Sequence, residues 1–75
     1  MKELEQILYK IVITRKARGY TQAYVAEKLG LGRSSYVRKE NGTIPLTLEE
    51  FLSIADCLDV SPESFLIPQN QKNKV

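Results

Sequence analysis

Apolar residues recur along most of this 75-residue chain at the three- and four-residue spacing of amphipathic helices. The first stripe predicts a helix from about Glu3 to Arg18, which Gly19 ends at a position suited to positive φ. Its apolar positions are Leu4, Ile7, Leu8, Ile11 and Val12. No segment alternates with the two-residue period of a β-strand, so the pattern predicts an all-α fold.

Two shorter helices follow and are joined by a tight turn. Thr21 is a suitable N-cap for the second helix, and Gly30 supplies the turn because a residue without Cβ tolerates it. The third helix is expected from about Arg33 to Glu40 and stops at Asn41 and Gly42. The inner face of the second helix is Val25, Ala26 and Leu29.

The C-terminal part of the chain predicts two further helices and a tail. Thr47 and Glu50 have the spacing of a capping box, which opens the fourth helix. Ser61 and Pro62 are typical of an N-cap and a first helical residue, so a short fifth helix follows. The apolar positions of these two helices are Leu48, Phe51, Leu52, Ile54, Ala55, Leu58, Phe65, Leu66 and Ile67. A single domain is expected over residues 1–67, with residues 68–75 as a flexible polar tail.

Charged residues are distributed unevenly along the chain. The segment from Tyr9 to Lys39 has eight basic residues and one acid, whereas the segment from Glu40 to Ile67 has six acids and no basic residue. A basic surface attracts phosphate groups because binding releases condensed counterions. On charge alone, a solvated helical surface explains the pattern equally well. Four long cations are expected to act by charge alone and to stay solvated: Lys16, Arg18, Lys28 and Lys39.

Composition argues against several classes of function. The chain has one cysteine, Cys57, and no histidine, so it has no internal disulfide and no imidazole base or metal ligand. A single cysteine fits a reducing compartment, and we expect a cytoplasmic protein. No apolar run is long enough to span a membrane, and the first residues do not resemble a signal peptide. No phosphate-binding glycine loop occurs, so neither an enzyme nor a cofactor, metal or small-molecule site is expected.

One set of residues, taken together, has a spacing that is a specific family signature, although each short motif in it would be a weak signal alone. The set comprises Arg15, Gly19, Thr21–Gln22, Val25–Ala26, Leu29–Gly30–Leu31, Glu40–Asn41–Gly42, the Leu48–Leu58 helix and Val60–Ser61. It resembles the XRE (Cro/repressor) class of phage-repressor-like helix-turn-helix proteins, over about Ile11 to Phe65. The resemblance implies a compact five-helix, lambda repressor-like domain. In such a domain helices 2 and 3 form the helix-turn-helix, and helix 3 enters the major groove of double-stranded DNA.

The third helix carries the candidate base-reading residues. Its outward side is Arg33, Ser34, Val37 and Arg38. Residues four apart are neighbours on a helix, so these form two pairs. Arg33 and Arg38 can each present a planar fork to guanine or contact a phosphate, although in isolation both would be solvated surface charges. The short side chains of Ser34 and Ser35 allow close approach, and Val37 can touch a thymine methyl group.

The resemblance also implies roles for residues at the ends of these helices. Gln22 and Asn41 correspond to family positions that contact DNA phosphates. The alternative is a purely structural role, in which Gln22 supports the helix cap and Asn41 ends the helix. Arg15 and Glu40 correspond to an internal ion pair that ties helix 1 to the end of the recognition helix. Gly32 departs from the family pattern, which commonly has Ser or Thr at that position as a helix cap.

The implied function is sequence-specific transcriptional regulation, expected to be repression, by a homodimer on a pseudo-palindromic operator. The expected dimer surface is the corner between helices 4 and 5 together with helix 5, with Leu58, Val60, Pro62, Phe65, Leu66 and Ile67. A second candidate surface is the flank of helix 1 with Leu4, Leu8 and Val12. Both sets could instead belong to the core of one chain. Two other functions stay open, an antitoxin with the same fold and a protein-interaction adaptor that docks through helix 3.

Overall fold

The computed structural model describes residues 2–66, and its regular structure over that range is entirely helical. Within this range five helices follow one another: α1 (Lys2–Ala17), α2 (Gln22–Leu29), α3 (Arg33–Glu40), α4 (Leu48–Leu58) and α5 (Glu63–Leu66). The predicted five-helix, all-α architecture is confirmed. The predicted domain end at Ile67 and the tail over residues 68–75 lie outside the described residues. No helix in residues 2–66 is long and apolar enough to cross a membrane.

Local side-chain chemistry sets the helix ends where the sequence predicts them. Thr21 caps α2, because its Oγ1 accepts a hydrogen bond from the Tyr24 backbone N–H (3.0 Å). At α4 the Thr47 side chain accepts from the Glu50 backbone N–H (3.0 Å) and the Glu50 side chain accepts from the Thr47 backbone N–H (2.9 Å), which completes the capping box. Gly30 ends α2 at φ 73°, a left-handed conformation that costs glycine little.

The core takes side chains from every one of the five described helices. α1 packs against α3, α4 and α5, while α2 packs against α3 and α4. From α3 the core takes Tyr36, whose side chain is fully buried and fixes the inner side of that helix. The buried apolar residues are Leu8, Ile11, Val25, Ala26, Tyr36, Ile54, Ala55, Leu58 and Phe65.

Two residues of the predicted dimer surface belong to this core. Leu58 is 0% exposed and Phe65 is 3% exposed, and the Phe65 ring meets Phe51 edge to face with ring centroids 5.8 Å apart. The prediction that Leu58 and Phe65 face a partner is therefore corrected, because both side chains are buried in the core of a single chain. Leu8 of the second candidate surface is buried as well. The described members that keep accessible surface are Val60, Pro62, Leu66, Leu4 and Val12, and Ile67 lies outside the described residues.

Leu58→Ala is expected to lower the free energy of unfolding by about 2–5 kcal/mol, because it removes a fully buried side chain and leaves a cavity. Leu66→Ala is the matched control, since Leu66 is 56% exposed. The control should change the free energy of unfolding by less than about 0.5 kcal/mol. Urea unfolding at low protein concentration, followed by circular dichroism, measures both values. Equal losses in the two variants would contradict the placement of Leu58 in the core of a single chain.

Candidate nucleic-acid interface

A tight turn connects α2 to α3. The Leu31 backbone N–H donates to the Ala26 carbonyl (2.9 Å), and the Leu31 side chain packs against the core. Gly32 is the N-cap of α3 and makes no side-chain cap hydrogen bond. The first turn of α3 is therefore anchored less firmly than that of α2, where Thr21 caps the helix.

The outward side of α3 carries polar and basic side chains. The exposed predicted contacts are Arg33, Ser34, Ser35, Arg38 and Asn41, and Val37 is half-buried. Ser34 and Arg38 lie opposite the buried Tyr36, because positions two residues away on a helix point to the other side. The structure thus brings these predicted contacts to solvent along α3 and at its C-terminal end.

The inner side of α3 ends at a buried carboxylate that accepts four hydrogen bonds. Glu40 is 5% exposed and Arg15 is 6% exposed. Arg15 binds this carboxylate through two bonds, Nε to Oε2 (2.8 Å) and Nη2 to Oε1 (3.0 Å). Gln22 Nε2 donates to Oε1 (2.8 Å), and the Tyr36 hydroxyl donates to Oε2 (2.7 Å). Each carboxylate oxygen therefore accepts one bond from a charged donor and one from a neutral donor.

These four residues, here called the Glu40 cluster, join three helices. Arg15 comes from α1, Gln22 is the first residue of α2, and Tyr36 and Glu40 belong to α3. Arg15 Nη1 also donates to the Tyr20 carbonyl in the loop between α1 and α2 (2.9 Å). Among residues 2–66 no buried side-chain nitrogen or oxygen lacks a hydrogen-bond partner. The cluster therefore sets the orientation of α3 relative to α2 with fully satisfied polar groups.

The protonation states of the Glu40 cluster follow from its contacts. Burial raises the pKa of Glu40, but hydrogen bonds from Arg15, Tyr36 and Gln22 outweigh it and hold the pKa below its ordinary value. The hydrogen bond to Glu40 raises the pKa of Arg15, so the guanidinium keeps its charge. Burial, and next the bond to Glu40, raises the pKa of Tyr36, so its hydroxyl stays a donor. At neutral pH the cluster holds one positive and one negative charge.

Gln22 has a contact that sequence reasoning missed. Its expected role is a phosphate contact, and in the structure it is half-buried with Nε2 bonded to Glu40. The two residues are 18 positions apart, so no local pattern relates them. The bond between Tyr36 and Glu40 was also missed, although residues four apart on a helix share a face and that spacing is a usable signal.

A lysine ties the end of α3 to α4. Lys39 Nζ donates to the Pro45 carbonyl (3.0 Å) and pairs with Glu50 Oε1 (3.1 Å). That oxygen is the one that accepts from Thr47 in the capping box of α4. The expectation of a solvated Lys39 is wrong, because the loop after α3 brings acceptors to its ammonium group. The Lys39 side chain is 13% exposed.

Two other cations that were expected to be solvated also have partners. Arg18 Nη2 donates to the Asp59 carbonyl (3.3 Å), and Lys28 Nζ lies 5.2 Å from the centre of the Tyr24 ring. Both cations are exposed, so these contacts contribute little to stability.

Cys57 and the acidic residues show no reactive or metal-binding arrangement within the described range. Cys57 is half-buried, and burial raises the pKa of its thiol, which keeps the thiol in its less reactive protonated form. Over residues 2–66 no group of three or more His, Cys, Asp or Glu side chains could hold a metal ion.

The sequence that forms this helix-turn-helix is similar to known sequences. A family model described as helix-turn-helix matches residues 13–65. Over 56 residues the chain is 36% identical to the cryptic phage CTXphi transcriptional repressor RstR of Vibrio cholerae serotype O1. That alignment covers 75% of this chain and 50% of the relative, so the chain spans about half the length of the curated relative it matches. No solved structure matches the chain.

The fold and the exposed third helix define a helix-turn-helix protein. The matched region contains α2, the turn, α3 and all four residues of the Glu40 cluster. The chain belongs to the XRE-type helix-turn-helix family, and the resemblance inferred from its sequence is confirmed.

Glu40→Gln should lower the free energy of unfolding at neutral pH by about 3–5 kcal/mol, because the buried Arg15 charge loses its carboxylate partner. The pKa of Glu40 is lowered in the folded protein, so its contribution to stability is present above the ordinary pKa of 4.5. That contribution is lost as the pH falls through the folded-state pKa of Glu40. Chemical denaturation from neutral to acid pH measures both effects.

The matched control for this substitution is Glu27→Gln, at an exposed acid of α2. The control should change the free energy of unfolding by less than about 0.5 kcal/mol and keep the acid sensitivity of the wild type. Glu40→Gln should weaken that sensitivity. Wild-type stability in Glu40→Gln at neutral pH would show that the cluster does not support the fold.

Proposed function

We propose that this chain is a sequence-specific transcriptional repressor that binds double-stranded DNA with α3 in the major groove. The observation that carries the proposal is the division of α3 into two sides, with Tyr36 and Glu40 buried and Ser34 and Arg38 exposed. A helix mounted in this way can enter the groove without rearrangement of the core. Membership of the helix-turn-helix family and similarity to a protein named as a transcriptional repressor support the proposal.

The outward side chains of α3 suit contacts with base edges. Arg33 and Arg38 are exposed and can each present two N–H groups to the O6 and N7 atoms of guanine. Ser34 and Ser35 are short, so the helix can come close to the bases. Val37 is half-buried, and its remaining surface can meet a thymine methyl group. These contacts need neither a metal nor a cofactor.

Two residues at the ends of the helix-turn-helix suit contacts with phosphates. Gln22 is the first residue of α2, where backbone N–H groups without helical partners favour an anion. Asn41 is exposed directly after α3. Phosphate contacts set the position of the protein on the duplex, and base contacts then select the sequence. Action on DNA also fits the cytoplasmic location expected from the composition.

The repressor would bind its operator as a homodimer, because one recognition helix covers only a few base pairs. We place the contact between subunits around Leu66, which is 56% exposed. Leu66 borders a shallow apolar groove with Leu4 and Leu48, which are 46% and 72% exposed. This groove joins accessible parts of both surfaces expected from the sequence. Exposed apolar patches of this kind are typical of contacts between subunits.

The test of DNA binding is in vitro selection of duplexes from a random pool, followed by affinity measurements over a range of salt concentrations. We expect a symmetric selected sequence and an affinity that falls steeply with salt, because basic residues release counterions. Arg33→Ala should lower the affinity by about 1–3 kcal/mol and relax the preference at one position of each half-site.

Lys28→Ala is the matched control for Arg33→Ala, because it also removes one positive charge. Lys28 lies beside Asp56 and Cys57 of α4, away from the outward side of α3. The control should keep the selected sequence and nearly all of the affinity. Failure to enrich any duplex would contradict the proposal, and weak salt dependence would favour a protein-interaction adaptor.

Leu66→Glu should weaken binding to the full operator by about tenfold or more, because it places a charge in an apolar contact between subunits. Binding to a single half-site should not change. Ile13→Glu is the matched control, since Ile13 is 44% exposed on α1, nine residues beyond Leu4. Titration of each protein with full-site and half-site duplexes measures both affinities. If Leu66→Glu binds the full site and the half-site with the affinities of the wild type, the subunit contact lies elsewhere.

A further inference from the structure

The chain turns sharply after α3 through hydrogen bonds between Asn41 and Thr43. Asn41 Oδ1 accepts one bond from the Thr43 backbone N–H (2.9 Å) and another from Thr43 Oγ1 (2.6 Å). A backbone N–H can only donate, so the branch of the Asn41 amide that meets it must be the oxygen. Both bonds therefore hold the same branch of the Asn41 side chain.

This arrangement determines where the other branch of the amide points. The Asn41 amide is planar, so fixing Oδ1 with two bonds directs the Nδ2 amino group away from Thr43. Asn41 and Thr43 are both exposed, so Nδ2 can donate a hydrogen bond to a group outside the protein. Thr43 is itself held in place, because its backbone N–H also donates to the Arg38 carbonyl (2.8 Å). The support for the amide is therefore attached to α3.

Asn41 continues the outward side of α3. It follows Ser34 by seven residues, which is close to two helical turns, and Arg38 by three. When a recognition helix lies in the major groove, the residue after its last turn meets the sugar-phosphate wall of the groove. A phosphate oxygen only accepts hydrogen bonds, so it pairs with Nδ2 and not with Oδ1.

We propose that Thr43 is a positioning residue, which orients the Asn41 amide so that Nδ2 donates to a DNA phosphate at the edge of the groove. This inference rests on the proposed DNA-binding function. Both residues are neutral, so their contribution releases no counterion and is independent of base sequence. Thr43 therefore acts on affinity, through Asn41, and on neither salt dependence nor sequence preference.

A different expectation holds if Thr43 only stabilises the turn. In that case the loss caused by Thr43→Val would appear in thermal stability, and its effect on DNA affinity would be independent of Asn41. A double-mutant cycle separates the two roles, because a positioning residue has no further effect once the residue that it positions is absent.

The experiment compares the full wild-type chain with Thr43→Val, Thr43→Ser, Asn41→Ala and the double variant Asn41→Ala/Thr43→Val. The probes are the duplex recovered by selection and a scrambled duplex of the same length, each titrated over a range of salt concentrations. Thr43→Val keeps the shape of the side chain without its hydroxyl group, and Thr43→Ser keeps the hydroxyl group. Circular dichroism melting monitors the folding of every variant.

We expect Thr43→Val to weaken binding to both duplexes by about threefold and Asn41→Ala by about tenfold, with unchanged salt dependence. Thr43→Ser should bind like the wild type, and the double variant should bind like Asn41→Ala. Wild-type affinity in Thr43→Val, or an undiminished effect of Thr43→Val in the Asn41→Ala background, would overturn the positioning role alone. Failure of the wild-type chain to bind either duplex would overturn both this role and the proposed function.

Discussion

The orientation of α3 depends on one buried carboxylate. Glu40 accepts hydrogen bonds from α1, from the first residue of α2 and from α3 itself, so three helices share a single acceptor group. A buried ion pair adds little net stability compared with apolar side chains of the same volume, because both charges lose hydration. The main effect of the Glu40 cluster is on the relative positions of the three helices. The bidentate guanidinium and the two neutral donors can all bond to the carboxylate in only one arrangement of the helices, whereas purely apolar contacts would allow the helices to shift relative to one another.

Tyr36 connects the apolar core to the Glu40 cluster. Its ring is fully buried among apolar residues, and its hydroxyl group donates to Glu40, so one side chain joins the core to the Glu40 cluster. The two ends of α3 are held differently. Its C-terminal end is held by the Glu40 cluster and by Lys39, while its first turn follows Gly32 without a side-chain cap.

The features that the sequence predicts best are those that depend on neighbouring residues. The Thr47–Glu50 capping box, the Gly30 turn and the extent of α3 follow from local spacing, and the structure shows each of them. The Arg15–Glu40 contact was anticipated only through family resemblance, because no local rule relates residues 25 positions apart. Leu58 was misassigned for a related reason. An apolar stripe shows that a helix face is buried, but it does not show whether that face packs against the same chain or against a second copy.

We expect the Glu40 cluster to hold α3 so that its outward side can bind DNA. The most direct test is two-dimensional NMR of the isotope-labelled chain during titration with a duplex obtained by selection. Backbone chemical shifts should change mainly at the start of α2, along α3 and at Asn41 to Thr43, while those of Ser53 and Asp56 on α4 stay unchanged. Shift changes concentrated on α4, with α3 unaffected, would contradict a role of α3 in DNA binding.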